Sequence, residues 1–382
     1  MEKCRYYNDH QTCCILFLDD FSLTATSCDG RIYPFNDWGY GMLSKNSLFE
    51  YLYETLLRWC PEIKGTIFMP LLKHRAQNPD SGYRLFFRDY GIDFRDFYDR
   101  ISDRFEIAFH GLHHGRFTDN PDPSFKSWQN EFEYYDIKDT AVIRQSIISF
   151  ESATGIKLRG GKTPGYRQNE HARGIVEELG FDWWASSSEM MNRRSRFNKP
   201  SYFGKKRRVL DIPTHISGDI FSRHSLSLSK YPFSLIKFLK TEHSLYRNRY
   251  NLSYLYEKGI PITIQEHCQN LRTDGRRQRY NLFDDIFSVA EIYNTLRGYD
   301  IWHCTCSEYA GYYDAWENTQ IRKGKNGVFE VLYKGQSPDT SVTIRSEHRE
   351  IMDKNLENKL HGMYKNGKWI FNGLKPGVYQ II

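Results

Sequence analysis

The sequence has no long apolar run. None of its segments approaches the about 18 consecutive apolar residues that a membrane-spanning helix requires. The N-terminal stretch also lacks the pattern of a signal peptide, because the short apolar run that begins at Cys13 continues directly into Asp19 and Asp20. We therefore expect a cytoplasmic protein without a transmembrane segment.

Paired cysteine motifs of the zinc-knuckle type are also absent. The chain has eight cysteines, but Cys304 and Cys306 are separated by one residue instead of two, and no second pair of this kind exists. A large chain without a leader keeps free thiols in a reducing compartment more readily than it forms a disulfide framework. We interpret these cysteines as structural.

A strong net charge is missing too, since 53 Lys and Arg residues against 47 Asp and Glu residues give a formal charge of +6. Basic residues are nevertheless concentrated from Arg193 to Arg208, without any acid, and again from Arg272 to Arg279. Solvated surface loops would explain both clusters. The functional alternative is attraction of an anionic partner, such as a phosphorylated sugar or an anionic lipid. No recognised nucleic-acid-binding motif accompanies the clusters, so a nucleic-acid partner is not expected.

Strand and helix patterns alternate along the chain up to about residue 310. A helix is predicted from the capping box at Ser47 to the residue before Pro61, and two others end at Gly155 and Gly180. The predicted strands are Cys14–Leu18, Gly65–Met69, Glu106–Phe109, Leu158–Lys162, Phe181–Ala185, Val209–Ile212, Pro261–Ile264 and Ile301–Cys304. This alternation predicts a parallel α/β architecture, and the number of strands favours a barrel, regular or broken, over an open sheet.

The character of the sequence changes near residue 320. Short alternating runs such as "GVFEVLYKG" and "GKWIFNG" are separated by Gly, Pro and Asn, which is typical of a small antiparallel β unit. We therefore predict two domains, an α/β domain over residues 1–315 and a sandwich-like β domain over residues 316–382. For the second domain, packing or assembly is favoured over glycan binding.

Polar side chains follow several of the predicted strands, at the point where each strand ends. Asp19 and Asp20 end the first strand, His110 the third, Lys162 the fourth and His267 a later one. Because parallel α/β barrels present their reactive side chains at the carboxyl ends of the strands, we expect these residues on one rim.

The residues on this rim suit metal-assisted hydrolysis. His110 and His114 have the i, i+4 spacing that aims two imidazoles at one point, and one of the paired aspartates would complete three ligands with an open position for water. The second aspartate could take a proton from that water, and His267 could protonate a leaving amine. Chance clustering among 13 histidines is the alternative. Imidazole and carboxylate ligands favour one divalent zinc, with cobalt, nickel or ferrous iron also suitable.

The motifs "FLDDF", "HGLHH", "GGKTPGY" and "ITIQEH", in this order, resemble the polysaccharide deacetylase family, carbohydrate esterase family 4. The resemblance covers most of residues 10–310. It implies a distorted (β/α) barrel of about seven strands. It also implies the removal of N- or O-acetyl groups from sugars with the help of a divalent metal, often zinc.

The resemblance also implies a role for individual residues. Asp19 corresponds to the general base and His267 to the general acid of the family. Lys162 falls on the arginine that orients the base, although Arg159 or Arg167 could replace it. The residues that correspond to metal ligands are Asp20, His110 and His114.

Other family features are less clear in this chain. The backbone amide that helps to hold the oxyanion corresponds to Gly165 or Tyr166. The aspartate-tryptophan motif that tunes the acid histidine is absent from "WWASSSEMM", and Glu189 or Glu266 could take its place. His215 is a further pocket candidate, with a structural role as the favoured alternative.

We therefore expect a metal-dependent deacetylase that acts on a sugar intermediate of surface-polysaccharide biosynthesis. The sugar could be nucleotide- or lipid-linked, and the basic cluster at residues 193–208 would suit a diphosphate. One alternative is a deformylase or an amidohydrolase for another amide. Another is a catalytically retired glycan-binding protein on the same fold. The oligomeric state is left open.

Overall fold

The structure of the chain is a computed structural model, and its elements alternate as the sequence predicts. It describes residues 1–19, 52–71, 91–112, 140–166, 170–186, 197–222, 226, 235–267, 280–335 and 340–382. The α-helices are α1 (Gly91–Ile101), α2 (Ala141–Thr154), α3 (Glu170–Leu179), α4 (Leu235–Glu257), α5 (Tyr280–Leu296) and α6 (Cys306–Asn318). The first eleven strands are β1 (Glu2–Lys3), β2 (Thr12–Leu18), β3 (Gly65–Met69), β4 (Phe105–Phe109), β5 (Gly160–Lys162), β6 (Trp183–Ala185), β7 (Ser201–Phe203), β8 (Val209–Asp211), β9 (Ile216–Ser217), β10 (Ile262–Glu266) and β11 (Ile301–His303).

Ten of these strands form one sheet. Its order is β7-β8-β6-β5-β4-β3-β2-β10-β9, and β11 pairs with β2. All neighbours in this sheet are parallel except β7 and β8, which are antiparallel. The parallel strands bring their carboxyl ends to one rim of the sheet.

The sheet is curled, because one stretch of chain pairs with strands near both of its ends. The Ile212 N–H donates to the Trp184 carbonyl at 2.9 Å, and the His215 N–H donates to the Thr263 carbonyl at 3.3 Å. The segment that contains β8 and β9 therefore runs from β6 to β10. The mixed α/β class is confirmed, and the structure shows a curled sheet of ten strands. The predicted distorted barrel of about seven strands is not confirmed.

Each side of the curled sheet has its own apolar core. Alternate residues of β2 enter different cores, so Leu16 packs against the outer helices while Ile15 and Phe17 pack inside the curl. Tyr309 of α6 packs into the same inner core. Because β2 is buried on both faces, it is apolar from Cys13 to Leu18, which is the pattern expected of a strand in a covered parallel sheet.

Two of the three predicted helices end where the sequence predicts, whereas the described part of the helix predicted from Ser47 is a π-helical turn at Tyr53–Leu57. Gly155 adopts the left-handed conformation at the end of α2, with φ of +69°. Ala172, Ile175 and Val176 form the buried face of α3. Within the described ranges, no helix has both the length and the apolar character needed to cross a membrane.

The C-terminal residues form two antiparallel sheets around a third apolar core. Their strands are β12 (Thr319–Lys323), β13 (Val328–Tyr333), β14 (Val342–Ser346), β15 (Glu350–Asp353), β16 (Asn358–His361), β17 (Met363–Lys365), β18 (Lys368–Leu374) and β19 (Gly377–Ile381). The first strand of the chain, β1, pairs with β14 in one of these sheets. The predicted boundary at residues 315/316 lies within α6, and the division into two domains stays a prediction.

Candidate functional site

Strand alternation brings the predicted rim residues to the inner side of the curled sheet. Phe17 and Ala108 belong to the inner core. Asp19 comes two residues after Phe17 and His110 two residues after Ala108, so both face the same side of the sheet. Asp19 and His110 are both 1% exposed. The two strand ends therefore place a carboxyl group and an imidazole inside the curl.

Lys162 reaches this face because β5 contains two glycines. A Cβ atom on Gly160 would lie 2.2 Å from the ring of Trp183, and one on Gly161 would lie 2.4 Å from the Phe109 carbonyl oxygen. Only glycine allows β5 to fit between these neighbours, and the next residue, Lys162, then follows the inner face. The "GGK" stretch thus combines close packing with the placement of a cation.

Lys162 and Asp19 form a fully buried ion pair. The Lys162 Nζ donates to Asp19 Oδ2, and each side chain is 1% exposed. The ammonium also lies 4.9 Å from the ring centroid of Phe68 and 4.3 Å from that of Tyr166. Aromatic faces attract a desolvated cation, so these rings help to hold Lys162 against the carboxylate.

The two oxygens of the Asp19 carboxylate have different environments. Oδ2 accepts from Lys162 and, at 2.6 Å, from the Nε2 of Gln265. Oδ1 is buried and has no hydrogen-bond partner among the described residues. The carboxylate is thus held at one oxygen, and the other oxygen can accept a proton.

Tyr166 completes the surroundings of the lysine. Its hydroxyl accepts from Lys162 Nζ at 3.1 Å and donates to Thr214 Oγ1 at 2.7 Å. Burial raises the pKa of the Tyr166 phenol well above its usual range, so the hydroxyl stays protonated. Gly165 and Tyr166 both have positive φ angles, +59° and +56°, which is a strained conformation for the tyrosine.

The backbone of this turn narrows the prediction for the oxyanion amide. The Tyr166 N–H already donates to the Thr163 carbonyl at 3.0 Å. A single N–H that closes this turn is not available to an oxyanion, so the assignment to Tyr166 is corrected. Of the two predicted amides, that of Gly165 keeps this role as a prediction.

His110 is oriented by the backbone of β5. Its Nδ1 lies 3.0 Å from the Lys162 carbonyl oxygen. A carbonyl can only accept, so Nδ1 carries a proton. In the neutral imidazole the lone pair is then on Nε2, which is the tautomer that a metal ligand requires. His110 thus fits the predicted ligand role.

The other two predicted ligands, Asp20 and His114, lie outside the described residues. Among the residues that are described, no group of three or more His, Cys, Asp and Glu side chains could hold a metal ion. A three-ligand site at this rim therefore needs Asp20 and His114, and it stays a prediction.

His267 lies beside the Asp19 carboxylate. Its Nε2 is 3.7 Å from Asp19 Oδ2, and its side chain is 49% exposed. The Gln265 Nε2 lies 3.2 Å from the same ring nitrogen. A half-exposed imidazole next to a buried carboxylate has the access to substrate that a general acid needs.

Glu266 is adjacent to His267 in sequence but lies on the other face of β10. Its Oε1 accepts from the backbone N–H of His267 at 2.8 Å, and a Cβ atom on Gly218 would lie 2.0 Å from its Oε2. Burial, followed by the carboxylate of Asp285, raises the pKa of Glu266 well above its usual range. This carboxyl group supports the backbone behind the imidazole, and its role as a replacement for the aspartate-tryptophan motif stays a prediction.

Two further pocket candidates were predicted, His215 and Glu189. The two ring nitrogens of His215 lie 2.8 Å from the Asn198 carbonyl and 3.1 Å from Thr263 Oγ1, and burial lowers the pKa of His215 to about 4. This is the structural histidine that the sequence favoured. Glu189 lies outside the described residues.

The part of the basic cluster at residues 205–208 is remote from this rim. Residues 205–208 immediately precede β8, so they lie at the amino ends of the parallel strands, opposite the end that carries Asp19. Arg207 pairs with Asp182, and Arg208 pairs with Glu317. These two arginines support the fold, and the hypothesis that they bind a substrate diphosphate is not supported by their position.

Sequence reasoning did not single out Gln265, although it lies between the base and acid candidates. A signal was present in "ITIQEH", because Gln265 precedes His267 by two residues and so shares its face of β10. Its contact with Asp19 depends on the pairing of β10 with β2, in which Glu266 is opposite Leu18. That pairing joins segments almost 250 residues apart and is not visible in local sequence.

Comparisons with known proteins give a fold likeness only. No protein-family model matches the sequence, and no curated protein matches it. A protein from Mycobacterium smegmatis assigned as a polysaccharide deacetylase shares 16% identity with a TM-score of 0.45, over 81% of this chain and 92% of that one. A family 4 carbohydrate esterase from Streptomyces lividans, solved with acetate, shares 11% identity with a TM-score of 0.33, over 76% and 91% of the two chains.

A 4-alpha-glucanotransferase from Thermococcus litoralis is similar to a comparable extent. It shares 13% identity with a TM-score of 0.38, over 81% of this chain and 40% of that chain. Deacetylases and a glycoside-active enzyme thus occur among the similar structures, all at low TM-scores.

Proposed function

We propose that this chain is a metal-dependent carbohydrate deacetylase, a hydrolase that removes an N- or O-acetyl group from a sugar. The observation that carries the proposal is the buried Asp19 carboxylate. Its Oδ2 is held by Lys162 and Gln265, while Oδ1 has no partner among the described residues. The resemblance of the sequence motifs supplies the substrate class, and the site supplies the chemistry.

In the proposed reaction, Asp19 Oδ1 accepts a proton from a water molecule as the water oxygen attacks the acetyl carbonyl carbon. Lys162 keeps the carboxylate oriented and neutralises its charge before the reaction begins. The bond between the carbonyl carbon and the leaving nitrogen or oxygen then breaks. A ring N–H of His267 donates a proton to the leaving group, so that acetate and the free amine or hydroxyl are released.

We propose that the predicted donor set of two imidazoles and one carboxylate holds a divalent cation at the rim. His110, with its lone pair on Nε2, would hold it together with Asp20 and His114. A divalent ion bound there would supply Lewis acidity, which lowers the pKa of water and polarises a carbonyl oxygen. We propose zinc, with cobalt, nickel or ferrous iron as alternatives.

The test measures acetate released from a panel of N- and O-acetylated sugars, free and diphosphate-linked, by protein loaded with zinc or cobalt. We expect release by the wild-type chain and a loss of at least about 100-fold in Asp19→Asn, since general base catalysis contributes on this scale. Glu170→Gln, which changes an exposed carboxyl, should keep wild-type activity. Metal content is measured in parallel, with His110→Ala as the control that should lower it.

Other outcomes decide between the alternatives. Release from N-formyl but not N-acetyl substrates would favour a deformylase. A loaded protein that binds glycans but releases no acyl group would contradict the proposed activity and favour a glycan-binding protein on this fold.

A further inference from the structure

Gln265 is an unusual residue in its strand. β10 is buried along its length, and its neighbours Ile262 and Ile264 face the outer apolar core. Gln265 is 7% exposed and faces inward, where it precedes His267 on the same face. A buried amide must have hydrogen-bond partners to be tolerated, so its contacts indicate why it is there.

The amide of Gln265 lies between the two titratable side chains. Its Nε2 is 2.6 Å from Asp19 Oδ2, 3.2 Å from His267 Nε2 and 3.5 Å from His267 Nδ1. A carboxylate can only accept, so the amide nitrogen, and not the oxygen, must face Asp19. One N–H then donates to Asp19, and the second is available to a ring nitrogen of His267.

A neutral donor has a specific advantage at this position. Lys162 already supplies a full positive charge to Asp19, so a second cation would be costly in the buried site. The amide adds a hydrogen bond without a charge. It also places both donors on Oδ2, which leaves Oδ1 as the proton-accepting oxygen.

The amide also separates the imidazole from the carboxylate. His267 Nε2 is 3.7 Å from Asp19 Oδ2, which is longer than a direct hydrogen bond. Without the amide, the half-exposed imidazole could close on Asp19 and form a direct ion pair. The base would then be occupied by the acid that should protonate the leaving group.

We propose that Gln265 is a positioning residue that holds the base Asp19 and the acid His267 apart and fixes the orientation of both side chains. This inference rests on the proposed hydrolase function and deepens it. The neutral Gln265 side chain prevents a direct ion pair between the general acid and the general base, so that each can act on the substrate.

The test compares Gln265→Met, which keeps the approximate volume but removes both N–H groups, with Gln265→Glu, which places a carboxylate against Asp19. Gln320→Met, on the exposed part of β12, is the matched control. We expect kcat to fall about 10- to 100-fold in Gln265→Met, as for a lost hydrogen bond to a charged group, with KM changed less than about twofold. Gln265→Glu should lose more, and the control should behave as wild type.

A second measurement does not depend on activity. The ¹⁵N chemical shifts of the His267 ring, assigned with His267→Gln, report which nitrogen carries the proton. We expect the tautomer populations to differ between wild type and Gln265→Met, and to be unchanged in Gln320→Met. A purely structural role would lower the melting temperature without changing the kcat of the folded enzyme.

The outcomes separate this inference from the proposed function. Wild-type hydrolysis with an unchanged kcat in Gln265→Met would overturn the positioning role and leave the hydrolase function standing. A wild type that hydrolyses no substrate contradicts the function, and the ring shifts then decide whether Gln265 holds the imidazole. Unchanged ring shifts in both Gln265 variants would overturn the inference in either case.

Discussion

At the scale of single residues, the defining feature of this protein is one buried carboxylate with two unlike oxygens. Asp19 has Lys162 and Gln265 on Oδ2 and no described partner on Oδ1. The pair of Asp19 and Lys162 is 1% exposed on both sides, so neither charge is screened by water. Removal of either side chain would therefore leave the charge of the other buried without a counter-ion.

This dependence predicts a non-additive effect on stability. Lys162→Met should lower the free energy of unfolding by about 3–5 kcal/mol, because it leaves a buried carboxylate without its cation. The double variant Asp19→Asn/Lys162→Met should be less destabilised than Lys162→Met alone. Urea denaturation of the wild type, Asp19→Asn, Lys162→Met and the double variant measures the coupling free energy between the two residues. Strictly additive changes in the free energy of unfolding would contradict the buried pair.

One buried histidine, His215, and one partly buried histidine, His303, predict how stability depends on pH. Burial lowers the pKa of His215 and of His303 to about 4, below the usual value near 6.5. The unfolded chain therefore binds protons that the folded chain does not, and the stabilising contribution is complete above about pH 6.5 and is lost as the pH falls to 4. We expect each histidine to contribute a slope of up to about 1.4 kcal/mol per pH unit in this window.

The measurement is the free energy of unfolding at several pH values. Replacing His215 or His303 by Gln should flatten the dependence on pH between 6.5 and 4. Gln320→Met, an exposed change that removes no titratable group, should leave the slope as in wild type. A wild-type slope that is retained in both His215→Gln and His303→Gln would contradict the lowered pKa values.

At the scale of elements, β5 shows how packing and chemistry are combined in three residues. Gly160 and Gly161 lie so close to Trp183 and Phe109 that no side chain fits, and Lys162 follows them. The strand cannot move without moving the lysine. Stability and activity should therefore change together when β5 is altered.

Gly160→Ala tests this link. The new Cβ would lie 2.2 Å from the Trp183 ring and 2.6 Å from the Trp183 carbonyl oxygen, and the carbonyl belongs to the backbone, which cannot rotate away. We expect a loss of about 1–3 kcal/mol in stability together with a loss of activity.

The matched control is Gly174→Ala in α3. A Cβ atom there would meet nothing within 4 Å, and alanine favours helix, so stability should rise by about 0.5–1 kcal/mol with activity unchanged. The melting temperature and acetate release of both variants show whether stability and activity change together when β5 is altered. A tolerated Gly160→Ala would show that β5 is less tightly constrained than its neighbours imply.

At the scale of the whole molecule, the N-terminus joins the parts of the chain. β1 pairs with β14, so the first residues complete a sheet of the C-terminal β unit. Lys365 donates to Asp300 Oδ1 at 2.9 Å and to the Asn8 carbonyl at 3.0 Å, and Asp300 also contacts His10. Three distant segments of sequence meet at this point.

Removal of residues 1–4 should therefore affect the other end of the chain. We expect a lower melting temperature and faster cleavage of the C-terminal β unit by a protease, because β14 would lose one of its two partner strands and become an edge strand. Limited proteolysis followed by mass spectrometry locates the cuts. Unchanged cleavage in the C-terminal β unit would contradict the structural link.

The sequence by itself determined the alternation of strands and helices, the small β unit at the C-terminus and the residues that follow the strands. These are local properties, because side chains alternate with period two along a strand and a polar residue after a buried run marks where the strand ends. Asp19, His110, Lys162 and His267 were identifiable for this reason. The same alternation also separates Glu266 from His267.

Only the tertiary structure decided which of these residues meet. The contact of Gln265 with Asp19 requires β10 to lie beside β2, and the position of Arg207 and Arg208 follows from the end of the sheet at which β8 begins. Likewise, only the turn at residues 163–166 shows that the Tyr166 amide is already engaged. The physical reason is that strand pairing and backbone hydrogen bonds join residues that are far apart in the chain. Local patterns of sequence carry no record of those partners.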